Sequence, residues 1–309
     1  VAQDNSIFIP YANKTKVKVL KQIQQIFNHV GVELTLSDKI NSELASFSRD
    51  QDQFDMFTSH ARQIRNEEIT HNSKFYNEYQ SFINFVSSVF VRPLKDFQKL
   101  SAFHMAYSQH SCNFSVPGAG KTAIVLAAYS FLKAQEDKAK KIDRIVVIGP
   151  FASFAPWEDE FKHCFGYAVK SNRIYGGVDV NVRKQHLVTG QPAELTLISY
   201  SIVPSLLEEI AEFVDKHNVM IVVDEAHRIK NQIGKQALAT LEAATSAKSR
   251  IVLTGTPLPN GYQDLYNLYK FIYPFHYEKI LNTHYSNLVD LNSGDAYNSN
   301  ERVLRLIDN

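Results

Sequence analysis

From about residue 110 onward, short runs of β-branched and other apolar residues alternate with segments of helical periodicity. This alternation limits the fold more than any other feature, because it is typical of stacked βαβ units around a parallel sheet. Near-continuous apolar runs such as MIVVD, residues 220–224, suit strands that are covered on both faces. The predicted strands are Cys112–Val116, Arg144–Ile148, Arg173–Tyr175, Leu195–Ser199, Val219–Val223 and Arg250–Leu253. The predicted helices between them are Lys121–Gln135, Trp157–Cys164, Val203–Lys216 and Gln232–Ala244.

Residues 1–91 differ from the rest in composition and pattern, with few glycines, many polar residues and apolar positions at helical spacing. Three amphipathic patterns, Val17–Phe27, Ser37–Phe57 and Lys74–Phe90, predict a mostly helical accessory domain. Their aromatic stripes favour helix packing, and a surface for a protein partner or a face that stacks on nucleic acid is the alternative. Residues 92–275 then form the α/β domain, and residues 276–309 are a linker or the start of an insertion, since NSGDAYNSN is typical of loops.

Composition excludes several classes of protein. The net charge of +1 indicates no basic field over the whole chain, so any contact with nucleic acid must use a local patch. The two cysteines, Cys112 and Cys164, lack the spacing of a zinc site or a disulfide framework and favour a reducing cytoplasm. The apolar runs are shorter than the ~20 residues of a membrane helix, which predicts no contact with a membrane. No leader peptide is visible, and the start at Val1 rather than methionine suggests a trimmed or partial chain.

The segment SVPGAGKT, Ser115–Thr122, lies between a predicted strand and a predicted helix. Such a glycine-rich loop directs its backbone amides at phosphate oxygens, at the positive end of the helix dipole. Lys121 would neutralise the β and γ phosphates of a nucleotide, and the Thr122 hydroxyl would bind Mg²⁺. Ser115 replaces the first glycine of the usual pattern. The predicted nucleotide-binding residues of the loop are Pro117, Gly118, Ala119, Gly120, Lys121 and Thr122.

Two further polar segments also follow predicted strands, at the edge of a parallel sheet where ligands bind. In IVVDEAHRIKN, Asp224 would hold Mg²⁺ and Glu225 would orient the attacking water, so these acids and Lys121 are the predicted catalytic residues. In LTGTPLPN, the hydroxyls of Thr254 and Thr256 would contact the region of His227 and report the state of the nucleotide.

Together these segments resemble the first RecA-like lobe of superfamily-two helicases, and within them the SWI/SNF-type DNA translocases. The resemblance spans roughly residues 92–275. It is carried by DEAHRIKN, LTGTPLPNGYQDLYNLYKFIYP, VVIGPFASFAPWEDEF, LISYSIV and LKDFQ. It implies a P-loop NTPase with a RecA-like parallel β-sheet flanked by helices, which uses ATP and Mg²⁺ and acts on double-stranded DNA.

The resemblance also implies roles for individual residues. Gln98 would contact the adenine edge, and His227, Thr254 and Thr256 would couple hydrolysis to movement. The DNA contacts would lie near Pro150–Ser153 and Ser199–Tyr200. Trp157 is instead predicted to pack in the core, four residues before Phe161. A basic patch of Lys170, Arg173, Arg183 and Lys184 is a candidate DNA contact, and a solvated charged face is the alternative.

The second RecA-like lobe of such motors, with its arginine motifs, has no counterpart in the 309 residues. Because an arginine finger contributes about 10³- to 10⁵-fold in rate, we expect the chain alone to bind ATP but to hydrolyse it slowly. We expect a motor lobe of a bacterial DNA repair, restriction or defence system, with the second lobe as its partner. A nucleotide-gated protein-binding module and an RNA helicase are the alternatives.

Overall fold

The computed structural model describes residues 75–188, 193–281, 285–290 and 292, and isolated stretches before them: 2–3, 6–7, 23–24, 26–27, 29–31 and 40. The chain divides into two compact units, Val1–Asp55 and Met56–Asn309. In the first unit, Ala2–Gln3 pairs antiparallel with Ser6–Ile7, and the helical residues include Ile23, Ile26 and Phe27. Apart from Ile40, the predicted helix Ser37–Phe57 lies outside the described residues. The mostly helical amino-terminal domain therefore stays a prediction.

The second unit contains a six-stranded sheet in which each neighbouring pair of strands is parallel. The strands are β1 (His110–Asn113), β2 (Arg144–Gly149), β3 (Ser171–Ile174), β4 (Leu195–Ser199), β5 (Val219–Asp224) and β6 (Ser249–Leu253). Their spatial order in the sheet is β1-β6-β5-β2-β4-β3. The central strands are buried on both faces, as their apolar runs predict.

Helices connect the strands and cover the sheet, which gives the RecA-like α/β architecture expected from the sequence. Short 3₁₀ turns at Phe151–Ser153, Val203–Ser205 and Ala226–Ile229 follow β2, β4 and β5. The described α-helices are α1 (Tyr76–Val89), α2 (Asp96–Ser108), α3 (Lys121–Lys133), α4 (Phe154–Phe165), α5 (Val180–Val188), α6 (Leu207–Lys216), α7 (Lys235–Ala243), α8 (Asp264–Ile272), α9 (Tyr277–Leu281) and α10 (Tyr285–Asp290).

Several predicted boundaries differ from the observed ones by one to four residues, and three of the differences have a local reason. β1 ends at Asn113 rather than at Val116, because the Asn113 carboxamide accepts hydrogen bonds from the Ser115 backbone N–H and hydroxyl and turns the chain. The helix predicted from Val203 begins as a 3₁₀ turn, and α6 starts at Leu207. The helix predicted from Gln232 starts at Lys235, because Asn231 accepts a hydrogen bond from the Ile233 N–H and forms a turn first.

The helix predicted at Lys74–Phe90 is present as α1, and it packs in the core of the α/β lobe. The Phe82 ring, which is fully buried, makes edge-to-face contacts with Phe103 of α2 and Phe131 of α3, at centroid distances of 5.7 and 5.1 Å. Aromatic pairs of this kind stabilise helix packing, so the interpretation of the stripe as a packing face is confirmed for this helix. The division of the chain at residues 91 and 275 stays a prediction.

One charged side chain in the core has no counterpart in the sequence-based predictions. Arg250 lies in the middle of the buried strand β6 and is fully buried. Its Nε donates to the carbonyl oxygen of Ile272 at 2.9 Å, and one terminal nitrogen donates to Thr245 and Ala247 at 3.1 and 3.0 Å. The guanidinium therefore joins β6 to the end of α8 and to the turn after α7.

None of the described helices is long and apolar enough to cross a membrane.

Replacement of Arg250 by Met should lower the free energy of unfolding by about 3 kcal/mol, because three buried carbonyl groups lose their donors. Urea denaturation followed by circular dichroism measures this change. The control is Arg173→Met, the same substitution at a partly exposed ion pair with Glu158, where the cost should stay below about 1 kcal/mol. Equal costs at the two positions would show that the buried network contributes little.

Candidate functional site

The three polar segments that follow predicted strands meet at one edge of the sheet. Strand β6 lies between β1 and β5, and all three run parallel, so their carboxyl ends point the same way. The register pairs Asn113 with Leu253 and Asp224 with Leu253. The loop after β1, the two acids after β5 and the threonine turn after β6 consequently begin at the same level of the sheet.

The glycine-rich loop has the backbone of a phosphate-binding turn. Gly118 and Gly120 have φ values of 82° and 80°, in the left-handed region that favours glycine. A Cβ atom on Gly120 would also lie 2.3 Å from Nε2 of Gln98, so only glycine fits there. Gly120 is the N-cap of α3, and no side chain of the described residues caps this helix end. Its first amides are thus available for an anion at the positive end of the helix dipole.

Lys121 is held inside the curve of this loop. Its Nζ donates to the carbonyl oxygens of Ser115 at 2.9 Å and Val116 at 3.3 Å. Ser115, the residue that replaces the usual glycine, is bound in turn by Asn113 through its N–H at 3.1 Å and its hydroxyl at 2.6 Å. The loop therefore places the ammonium group beside the uncapped helix end before any anion is bound.

Gln98 supports the same loop from α2. The side chain is buried, its Nε2 donates to the carbonyl oxygen of Ala119 at 2.9 Å, and its Oε1 accepts from the Lys95 N–H at 3.0 Å. These two bonds use half of the hydrogen-bonding capacity of the amide. The contact of Gln98 with an adenine edge stays a prediction, and the contact with the loop is one that the sequence alone did not indicate.

Asp224 ends β5 in a largely buried position. Its Oδ2 accepts a hydrogen bond from Nε1 of Trp157 at 3.0 Å, and its Oδ1 accepts from the Glu225 N–H at 3.0 Å. Burial raises the pKa of this carboxyl above its ordinary value, the bond from Trp157 opposes the rise, and the charge of Glu225 adds to it. The carboxylate is therefore oriented by two donors in a site of low polarity.

Glu225 has a contrasting environment. Its backbone is in the left-handed region, with φ and ψ both 51°, which is uncommon for a residue with a side chain. The side chain is 47% exposed, and its Oε2 lies 3.1 Å from Nδ1 of His227. The strained turn directs two adjacent acids into different surroundings, one buried against α4 and the other open at the edge of the sheet.

The threonine turn contacts the glycine-rich loop. Thr254 is buried, its N–H donates to the carbonyl oxygen of Asn113 at 3.3 Å, and its hydroxyl accepts from the Thr256 N–H at 3.1 Å. A Cβ atom on Gly255 would lie 3.1 Å from Cδ of Pro117, so the two loops pack closely. Thr256 is exposed. A contact of either hydroxyl with His227 stays a prediction.

Helix α8 is fastened to the chain that follows the two acids. Nδ2 of Asn267 donates to the carbonyl oxygen of Ile229 at 2.6 Å, and Nζ of Lys230 lies 3.6 Å from Oδ2 of the buried Asp264. Asp264 also accepts from the Asn260 N–H at 2.9 Å. The family resemblance covers this segment, but the sequence did not indicate these contacts, because polar residues in an amphipathic helix do not reveal which carbonyls they meet.

The other predicted positions have mixed outcomes. Trp157 is 1% exposed and packs in the core, as predicted. Its hydrogen bond to Asp224 was not predicted. The sequence could have indicated such a bond, because a buried indole N–H needs an acceptor. Tyr200 is also buried, with its hydroxyl donating to the backbone oxygen of Asp224 at 2.7 Å. In the turn Phe151–Ser153, Phe151 is 52% exposed.

Two of the four cations of the proposed basic patch, Arg173 and Lys184, are paired with acids. Arg173 forms an ion pair with Glu158, and Nζ of Lys184 lies 2.5 Å from Oε1 of Glu209. Paired cations attract phosphates less than isolated ones do, which favours the solvated charged face over the DNA contact at this position.

The donors at the sheet edge fit a nucleotide and a magnesium ion. Backbone amides, an ammonium group and a helix N-terminus suit phosphates, and the Thr122 hydroxyl and the Asp224 carboxylate are the oxygen ligands that Mg²⁺ prefers. No cluster of three His, Cys, Asp or Glu side chains suited to a metal occurs among the described residues. Proteins usually bind Mg²⁺ through one or two carboxylates together with substrate phosphates and water.

Sequence comparison finds relatives among eukaryotic DNA repair and chromatin proteins. The DNA repair protein rad5 of Aspergillus fumigatus is 33% identical over 138 residues, 41% of this chain and 11% of that protein. The DNA repair and recombination protein RAD54-like of Danio rerio is 26% identical over 50% of this chain and 21% of its own length. The helicase SWR1 of Saccharomyces cerevisiae is 26% identical over 77% of this chain and 16% of its own length. The chain thus corresponds to less than a quarter of each relative.

Comparison with solved structures agrees with the sequence comparison. The Sulfolobus solfataricus SWI2/SNF2 ATPase core in complex with dsDNA superposes with a TM-score of 0.54 at 22% identity, over 69% of this chain and 42% of that one. A second structure, the Sulfolobus solfataricus SWI2/SNF2 ATPase core domain, gives a TM-score of 0.53 at 24% identity, over 71% of this chain and 43% of that one. This likeness confirms the RecA-like fold. Since the family profile of the SNF2-related domain matches residues 71–308, the protein belongs to the SNF2-related domain family.

Proposed function

We propose that the chain is the ATP-binding and hydrolysing lobe of a SWI/SNF-type motor that moves along double-stranded DNA. The observation that carries the proposal is the convergence of the Lys121 loop, the Asp224–Glu225 pair and the Thr254–Thr256 turn at one sheet edge. Membership of the SNF2-related family supports it, because the relatives named above include DNA repair proteins and a helicase.

In this proposal each residue of the loop has a defined role. The amides of Gly118 to Thr122 and the Nζ of Lys121 bind the phosphates, for which Lys121 would exchange its bonds to the Ser115 and Val116 carbonyls. Thr122 and Asp224 would hold Mg²⁺, which when bound neutralises charge on the phosphates. Gln98 keeps the loop in shape through the Ala119 carbonyl, and its contact with the adenine edge is part of the proposal.

Glu225 is the proposed group that orients the attacking water and accepts its proton. Its carboxylate is accessible at the sheet edge, whereas Asp224 is buried and held by Trp157. His227 lies against the carboxylate of Glu225, so a shift of the Ala226–Ile229 turn would change the position of the proposed base. This gives His227 a physical route for coupling hydrolysis to movement.

Further parts of the proposal concern partners and domain organisation. Double-stranded DNA would contact the exposed turn Phe151–Ser153, and a second RecA-like lobe would supply an arginine to the nucleotide. We also propose residues 1–91 as an accessory region in which the residues before α1 bind a protein partner, and residues 276–309 as a linker. The bacterial setting and the cytoplasmic location stay predictions, since the relatives named above come from fungi, a fish and an archaeon.

Replacement of Glu225 by Gln should slow single-turnover ATP hydrolysis by about 100-fold or more and leave nucleotide binding within about twofold, because only the proton acceptor is removed. Rapid-quench measurement with protein in excess over radiolabelled ATP follows the chemical step. Glu212→Gln, the same change on the exposed face of α6, should leave the rate unchanged. A Glu225→Gln protein with the parent rate would rule out the assigned base.

Replacement of Lys121 by Ala should weaken binding of a fluorescent ATP analogue by about 10-fold or more, because a charged hydrogen-bond donor to the phosphates is lost. Fluorescence anisotropy gives the dissociation constant. Lys133→Ala, at the other end of α3 and paired with Glu194, is the matched control and should bind as the parent does. Loss of binding in both variants would point to damage to the helix rather than to a phosphate contact.

When the chain is combined with the proposed second lobe, duplex DNA should stimulate ATP hydrolysis more than duplex RNA of the same sequence. The stimulation should fall steeply between about 50 and 200 mM salt, because contacts with phosphates weaken by orders of magnitude over that range. A coupled ATPase assay across that range tests this. Equal stimulation by RNA would favour an RNA helicase, and no stimulation by either would favour a nucleotide-gated binding module.

A further inference from the structure

Trp157 links the core of the lobe to the proposed nucleotide site. It is the only tryptophan among the 309 residues, it lies on α4, and it is 1% exposed. Its ring packs in the same core as Phe154 and Phe161. A buried indole N–H requires an acceptor, and here the acceptor is the carboxylate of Asp224 rather than a backbone carbonyl.

The bond from Trp157 restricts the orientation of this carboxylate. Oδ2 is held by the indole N–H and Oδ1 by the Glu225 N–H, so rotation about the Cβ–Cγ bond would break both contacts. Since a carboxylate has about four lone-pair sites, each oxygen keeps capacity for an external ligand. Trp157 thus selects which lone pairs face the open edge of the sheet.

Close packing at the end of β2 supports this arrangement. A Cβ atom on Gly149 would lie 3.3 Å from Cβ of Asp224 and 2.9 Å from Oγ of Ser153. The absence of a side chain at Gly149 lets the start of α4 approach β5 closely enough for the indole to reach the carboxylate. The hydrogen bond therefore depends on the close packing of β2, β5 and α4.

We propose that Trp157 is a positioning residue for magnesium, acting through Oδ2 of Asp224. The inference rests on the proposed function, in which Asp224 holds Mg²⁺ beside the phosphates. Donors that orient metal-binding carboxylates typically contribute about 10- to 100-fold in metal affinity. Trp157 would therefore determine how strongly nucleotide binding depends on magnesium, without touching the metal or the nucleotide.

The test uses Trp157→Phe, which removes the N–H but keeps an aromatic ring in the core. Binding of a fluorescent, non-hydrolysable ATP analogue to the whole chain is followed by anisotropy while Mg²⁺ is titrated. We expect the half-saturating Mg²⁺ concentration to rise about 10-fold or more. Binding of the analogue in EDTA should change less than twofold, because the loop and Lys121 are unaffected.

Phe154→Leu is the matched control, because Phe154 is fully buried on the same helix but donates no hydrogen bond. Its Mg²⁺ dependence should stay within twofold of the parent, even if its melting temperature falls. An unchanged Mg²⁺ dependence in a folded Trp157→Phe protein would overturn the proposal. An equal shift in Phe154→Leu would do the same, since packing rather than the hydrogen bond would then be responsible.

The single tryptophan provides a second measurement that needs no change at Trp157. In the parent loaded with unlabelled analogue, added Mg²⁺ should alter the Trp157 emission, and in Asp224→Asn this response should be lost. If emission stays constant while Mg²⁺ strengthens nucleotide binding, the proposal fails. If Asp224→Asn keeps the parent's Mg²⁺ dependence, the proposed role of Asp224 in the function is wrong. If Asp224→Asn changes the Mg²⁺ dependence but Trp157→Phe keeps it, only the inference about Trp157 is wrong.

Discussion

The parallel pairing of β5 with β2 and β6 is the constraint on which the rest of the structure depends. It aligns Val223 with Ile148 on one side and with Val252 on the other, so Asp224 is the last residue of a strand that is buried on both faces. Parallel strands release their loops at a common edge. Together with the pairing of β1 with β6, this register brings the glycine-rich loop beside two acids and a threonine turn that lie more than a hundred residues later in the chain.

At that edge the difference between two adjacent acids arises from backbone geometry. Because Glu225 has a left-handed conformation, its side chain emerges near His227, while Asp224 stays against α4. Burial and a neighbouring charge raise the pKa of Asp224, whereas the Trp157 N–H stabilises its charged form. One dipeptide thus offers a fixed oxygen ligand and an accessible carboxylate, which is the division of labour that the proposed hydrolysis requires.

Side chains from surrounding elements are bound to the backbone around this dipeptide. Tyr200 donates to the Asp224 carbonyl from the end of β4, and Asn267 donates to the Ile229 carbonyl from α8. Together with Trp157 on α4, they connect the site to several elements through side-chain hydrogen bonds. A displacement of any of these elements would reach the acids directly, which is a physical basis for the proposed coupling between DNA and nucleotide.

The sequence by itself determined the fold class, most of the strands and the residues that meet at the sheet edge. Apolar periodicity reports burial, and the glycine, acid and threonine segments follow their strands directly. Only the tertiary structure decided what holds them: the acceptor of the Trp157 N–H, the burial of Arg250, the neutralisation of Arg173, and the packing of α1 on the lobe. Each of these depends on residues distant in the chain, and local patterns do not encode which distant partner a side chain will meet.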